Sequence, residues 1–333
     1  MSRLFRVLRK PNHLDDYAED DRKGLWWYLT NTRTQITILH RLGQIYVVTF
    51  CLAVCWSSVT LGLPVVYENA PDTLYRAQCL MMYICFCIVS NYLLIVFHAE
   101  KSHFGKRNSK QLPTSALPVS GKAMSDWSGE KSLNSADNEM INSDWMKCSN
   151  CDIEVPPRAR HCAICQTCVL KKDHHCFFTG CCIGFYNQRY FITFCIFGII
   201  GGTWGLYNLG TYLSAKYATF LSFQIYWYFL PVCFISCLFG YVTFFDACLV
   251  LLFYLHITST ATSYYYFAWQ IYIISRGQTS YECVKRRKIY DDNFWTNMRS
   301  VFGPYWITGF LVPMPFLLNE GDGKTWRLHR KVV

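Results

Sequence analysis

The residues best suited to chemistry lie between positions 148 and 182 of the 333-residue chain. Cys148-x-x-Cys151 is followed by His161-Cys162-x-x-Cys165-x-x-Cys168, then by His174-His175-Cys176 and Cys182. Two thiolates on one tight turn can take two corners of a tetrahedron, so repeated Cys-x-x-Cys with nearby histidines is zinc-ligand spacing. Two closed sites of three cysteines and one histidine would use eight of these side chains. Asp173, a histidine, Cys176 and Cys181 would remain. A thiol beside an imidazole and a carboxylate is the parts list of an activated nucleophile, in which the acid orients the ring and the ring takes the thiol proton. Spacing alone does not decide which of His174 and His175 is ligand and which is base. A metal-bound nitrogen cannot accept that proton, so the two roles fall to different neighbours.

The elements that must position this block are apolar. Only 16% of residues are charged and 52% are hydrophobic, against about 25% charged in an ordinary soluble domain. This excludes a disordered chain and argues against an ordinary soluble enzyme. Residues 43–66 and 77–98 hold no Lys, Arg, Asp or Glu, and residues 190–213 form a third apolar stretch. Each is long enough to cross a bilayer, which takes about 20 residues. A long apolar region follows at 221–275, interrupted by Asp246. The 42 residues before the first span carry five acids, too long and too acidic a segment for a cleaved secretory signal, so that span reads as an uncleaved anchor.

Orientation follows from the basic residues. Eight Lys/Arg precede the first span, 12 fall in 99–189 and ten follow residue 275, whereas the connections 64–76 and 214–220 hold only Arg76 and Lys216. The N-terminus, the 99–189 segment and the tail are therefore expected in the cytosol. Parity then allows one crossing within 221–275, at roughly 247–274, with 214–246 interfacial, re-entrant or an extension of a long helix. Asp246 would mark the membrane boundary, since a lone carboxylate in hydrocarbon is expensive; the alternative is a polar cavity within the bundle. Residues 100–147 hold nine serines and read as a flexible linker. In the cytosol thiols stay reduced, which favours metal over disulfides for the cysteine block. The net charge of +10 is concentrated beside the membrane and gives no nucleic-acid footprint, so no nucleic-acid partner is expected.

The block resembles the cysteine-rich domain of the DHHC protein S-acyltransferases (palmitoyltransferases), whose four letters stand here at Asp173-His174-His175-Cys176. The resemblance covers Cys148–Phe191, including Pro157, Arg158, Gly184, Asn187 and Phe191. Thr279-Ser280-Tyr281-Glu282 is similar to the family's Thr-Thr-x-Glu motif, and residues 290–303 resemble its C-terminal motif around Asn297. The resemblance implies one zinc on Cys148, Cys151, His161 and Cys168 and another on Cys162, Cys165, His175 and Cys182. It implies that Asp173 orients His174, that His174 activates Cys176, and that Cys176 takes the acyl group from acyl-CoA (palmitoyl-CoA) and passes it to a cysteine of a membrane-associated protein substrate. Arg158, Arg160, Lys171 and Lys172 are the candidates for the CoA phosphates.

The expected fold is thus mainly α: a polytopic membrane protein with a four-helix transmembrane bundle and a cytosolic zinc-binding cysteine-rich domain of short β-hairpins. Its expected parts are a cytosolic segment 1–42, spans 1 and 2 within 43–98, the linker 99–147, the zinc domain 148–189, spans 3 and 4 within 190–275, and a cytosolic tail 276–333. The expected location is the endomembrane system, Golgi or endoplasmic reticulum. The sequence departs from the family at Phe177-Phe178, where Pro-Trp is usual, at Gly180-Cys181, where Asn-Asn is usual, and at Val155, where a base is usual. These departures leave a second reading, a zinc-stabilised membrane adaptor that has lost catalysis. Cys181 is given no role, and His256 in the last span is read as buried and neutral.

Overall fold

With no water to satisfy backbone groups in a bilayer, long apolar stretches fold as helices whose hydrogen bonds stay inside the segment. The computed structural model describes residues 32–105, 140–142, 145–217, 219–220, 222–304, 313 and 319–328. The segment before residue 32, most of the expected linker and Arg330-Lys331-Val332-Val333 lie outside these residues. Helix α1 spans Thr32–Ser57 and continues through a π-helical turn, Ser58–Gly62, into the α-helical turn Leu63–Val66. Helix α2 spans Pro71–Ala99 and α3 spans Gln188–Lys216. After the short α4, Leu230–Leu238, helix α5 spans Phe244–Ser275. Among the described residues, four helices (α1 with its extension, α2, α3 and α5) are long and apolar enough to cross a membrane. The protein is an integral membrane protein.

Helix α3 is central and packs along both α2 and α5. The π turn brings the first span against it, and Gly62 allows the approach: a Cβ there would stand 2.7 Å from the Asn208 backbone. Between α3 and α5 the chain forms a 3-10 turn, Phe223–Tyr228, and α4. At about 1.5 Å per residue, nine residues cannot cross a bilayer. Asp246 sits in the first turn of α5, where Thr243 caps the helix and Lys216 from the end of α3 donates to the carboxylate at 2.7 Å. The carboxylate is paired at a helix end, so it neither interrupts a span nor faces hydrocarbon alone.

The cysteine-rich region is built from antiparallel strands of two or three residues. In order they are β1 (His103–Phe104), β2 (Met140–Asn142), β3 (Met146–Cys148), β4 (Ile153–Val155), β5 (Arg160–Cys162), β6 (Thr167–Val169), β7 (His174–Cys176), β8 (Cys181–Ile183) and β9 (Trp326–Leu328). Strands β3–β4, β5–β6 and β7–β8 are hairpins, β1 extends the second, and β9 pairs with β2. Both Cys-x-x-Cys turns end on a left-handed residue, Asp152 and Gln166, with φ of 53° and 54°. Such strands are too short to stand alone and need an added staple. Two short helices, α6 (Ser280–Val284) and α7 (Phe294–Phe302), follow α5.

Candidate active site and metal centres

Strand alternation separates the adjacent histidines. Successive side chains of a strand point to opposite faces, so on β7 His175 points away from His174 and Cys176. The His175 Nδ1 lies 3.3 Å from Cys165 Sγ and 3.6 Å from the sulfurs of Cys162 and Cys182. These four residues form one cluster, and Cys148, Cys151, His161 and Cys168 form another, the ligand atoms of each lying within 4.8 Å of one another. A tetrahedral zinc with bonds of about 2.3 Å to sulfur and 2.0–2.1 Å to nitrogen requires edges of about 3.8 Å and about 3.5 Å. Cys151 and Cys168 stand 3.8 Å apart, Cys165 and Cys182 3.6 Å, and Cys151 Sγ lies 3.2 Å from His161 Nδ1. Both clusters could hold a tetrahedral metal ion. Because the two sets interleave along the chain, they would tie all three hairpins together. The free Nε2 of His175 faces Nε2 of His40 on α1 at 3.2 Å, which links the second cluster to the first span.

On the opposite face of β7, His174 Nδ1 lies 2.8 Å from Asp173 Oδ2. Its Nε2 is buried without a conventional hydrogen-bond partner among the described residues, and the ring interacts with the Cys176 sulfur. Three elements hold Asp173. Gln270 of α5 donates Nε2 to Oδ2 at 2.7 Å, and the Ser280 backbone N–H of α6 donates to Oδ1 at 2.6 Å. Gln270 is itself held by Gln188 of α3 at 2.9 Å. Tyr266 of α5 stacks parallel on the His174 ring, centroids 6.1 Å apart. Burial opposes charge on all three groups, and the contacts outweigh it. Bonds from His174, Ser280 and Gln270 hold Asp173 below the usual carboxylate range. Asp173 and Cys176 push His174 up to about 9, and His174 with Thr179 lowers Cys176. The arrangement favours a thiolate–imidazolium pair.

Cys176 lines a cavity of about 330 Å³ that runs into the bundle between all four spans. Phe178, Phe191, Phe194 and Tyr266 line it near the thiol. The turn after Cys176 docks on the first two spans: Gln44 donates to the Thr179 carbonyl at 2.8 Å and the Tyr92 hydroxyl to the Phe178 carbonyl at 2.9 Å. Cys181 is the cross-strand neighbour of Cys176, and burial pushes its thiol up to about 12.

The four cations expected at phosphates divide into two pairs. Arg158 is buried and donates Nε and Nη2 to both Glu282 oxygens, at 2.8 Å and 2.7 Å. Tyr290 and Trp326 each lie 4.5 Å from its guanidinium carbon. Lys171 is buried over Trp326, and burial with the charge of Arg158 pulls it down to about 7. Both line a cavity of about 520 Å³, together with Tyr290, Asn297 and Trp326. A buried charge is stable only when paired, and the partner Glu282 is 124 residues away in sequence. Arg160 and Lys172 remain half-buried, Arg160 over Tyr281 and Lys172 donating to the His161 carbonyl.

The same geometry accounts for Thr279-Ser280-Tyr281-Glu282. Thr279 and Glu282 form a capping box that starts α6. That turn aims the Ser280 N–H at Asp173 while Glu282 binds Arg158. Asn187 donates to the carbonyls of Ile95 and Cys182 and accepts from Gly184, so it joins α2 to the last ligand of the second cluster. Sequence reasoning missed Gln188, Gln270, Tyr266 and His40. Gln270 had a signal, since polar residues within spans are expensive, whereas Gln188 fell just before the expected third span. The Ser280 contact is made by backbone and leaves none.

Taken together, the helices and strands define a class: an integral membrane protein that sets a cysteine–histidine–aspartate relay beside an apolar cavity and two metal-competent clusters. Residues 141–287 match the family model described as DHHC palmitoyltransferase, and the chain carries the domain of that family, the one its motifs resemble. No curated protein matches the chain in sequence comparison.

Proposed function

We propose that this protein is a membrane S-acyltransferase that moves a long-chain fatty acyl group, such as palmitoyl, from acyl-CoA to cysteines of membrane-associated proteins. The observation that carries this reading is the buried Asp173 paired with the half-buried His174, next to Cys176 at an apolar cavity. Asp173 holds the ring so that Nε2 faces the thiol. The Cys176 sulfur attacks the thioester carbonyl, the carbon–sulfur bond to CoA breaks, and the CoA thiolate takes the proton from His174. A substrate thiol then gives its proton to His174 and attacks the new thioester, and the Cys176 sulfur leaves. Two half-reactions through one nucleophile give ping-pong kinetics.

Two zinc ions would be held by the Cys/His clusters, where they supply folding free energy and no open coordination position. The cavity would shelter the acyl chain. Arg158 and Lys171 at their cavity, with Arg160 and Lys172 beside them, are the cations for the CoA phosphates. The distribution of basic residues supports a topology with both termini and the cysteine-rich domain in the cytosol, and the membrane of this reading is that of the Golgi or endoplasmic reticulum. The test is labelling of the purified protein by a labelled acyl-CoA. Hydroxylamine-sensitive label on the wild type and none on Cys176→Ser is expected. Equal labelling of both would leave the adaptor reading in its place.

A further inference from the structure

The polar face inside the cavity takes no part in acyl transfer. Helix α5 carries His256-Ile-Thr-Ser-Thr-Ala-Thr-Ser263 in the middle of a span. His256, Thr260 and Ser263 recur at helical spacing and share one side. That side meets a glycine seam on α3. A Cβ would stand 2.6 Å from the His256 ring at Gly205, 2.5 Å from the Thr260 hydroxyl at Gly202, and 2.9 Å from the Ser263 hydroxyl at Gly198.

Most hydroxyls in this run are accounted for. Thr258, Thr262 and Ser263 donate to carbonyls of their own helix, and Ser259 pairs with Tyr46. His256 and Thr260 differ. Both line the cavity and are buried, at 2% and 6% exposure. Neither ring nitrogen of His256 nor the Thr260 hydroxyl has a hydrogen-bond partner among the described residues. The Gly202 backbone comes near the ring without completing a bond. Polar atoms buried in this way call for a partner from outside the chain.

Their depth says which partner. His256 is ten residues before Tyr266, the residue stacked on His174, so it lies about 15 Å along α5. A methylene adds about 1.3 Å to an extended chain with ordinary carbon–carbon bonds, so an acyl chain on Cys176 passes Thr260, about 9 Å along α5, and His256 with its middle carbons, roughly the seventh to the twelfth. A plain hydrocarbon would leave the imidazole and the hydroxyl unpaired. A hydroxyl on the chain can donate to the ring and accept from Thr260.

We propose that His256 and Thr260 form a hydrogen-bonding subsite for oxygenated donors, fatty acyl groups carrying a hydroxyl near the middle of the chain. The proposal rests on the acyl-transfer reading above. Purified full-length protein is offered hexadecanoyl-CoA and hexadecanoyl-CoA hydroxylated near its middle, at about carbon 10, in competition, and loading at Cys176 is measured for each. The hydroxylated donor is expected to load about tenfold better, the worth of one good buried hydrogen bond. In Thr260→Val the ratio should move toward one. An equal or reversed ratio in the wild type overturns the subsite, with water as the partner, and leaves the transfer reading intact. Should neither donor load, the transfer reading fails, and thermal stabilisation of Cys176→Ser protein decides the subsite. Equal stabilisation by hexadecanoic acid and its mid-chain hydroxylated form would reject it.

Discussion

In the proposed mechanism Asp173 is the centre of the site, because donors from His174, α5 and α6 converge on one buried carboxylate. Asp173→Asn would turn an amide toward groups that are themselves donors and release the His174 ring. Acyl loading should fall by about 10³-fold, with the metal content unchanged; loading within a few-fold of wild type would contradict the role. Gln270→Leu removes one of the three donors and should slow loading about tenfold, measured as the single-turnover rate. The sequence made Asp173, His174 and Cys176 visible as a group because they are contiguous with a ligand histidine. The division of labour between His174 and His175 was not visible there. It follows from β7, whose alternation becomes known only once the hairpin with β8 is seen. Gln270 stood 97 residues away from its partner and offered only a polar letter in an apolar span.

The helices and hairpins are joined by a few buried polar contacts. Arg158 and Glu282 connect the cysteine-rich strands to α6, and both side chains are almost fully buried, at 4% and 7% exposure. Breaking such a pair leaves an uncompensated charge and costs about 3–5 kcal/mol. Glu282→Ala should therefore lower the unfolding midpoint strongly and reduce loading, since the same turn aims Ser280 at Asp173. A midpoint equal to wild type would show that the pair holds nothing. Gly62→Ala should destabilise by about 1–3 kcal/mol, because its Cβ meets the Asn208 backbone of α3 and not a side chain that can swing aside. Hydropathy located the four spans, and the structure adds the ends. Helix α3 runs Gln188–Lys216 where 190–213 was expected, and α5 begins at Phe244 because Thr243 and Asp246 cap it. The π turn at Ser58–Gly62 has no local sequence cue; it reflects packing of the first span on α3.

Across the whole molecule, interleaved clusters tie three hairpins to one another, and His40 and Gln44 tie those hairpins to the first span. Two zinc ions per chain are expected by elemental analysis. Cys165→Ser should lose metal and unfold the strands, since structural zinc binding is folding free energy of about 10–16 kcal/mol; retention of two ions would contradict the ligand assignment. The proposed topology rests on charge placement and not on packing. A glycosylation tag near residue 70 should be modified and one near residue 120 should not. The most direct test of the central claim is mass spectrometry of peptides from the purified protein after incubation with palmitoyl-CoA. Among the 18 cysteines, the acyl group is expected on Cys176 and should be removed by hydroxylamine. An unmodified Cys176, or an acyl group spread over other thiols and retained in Cys176→Ser, would contradict it.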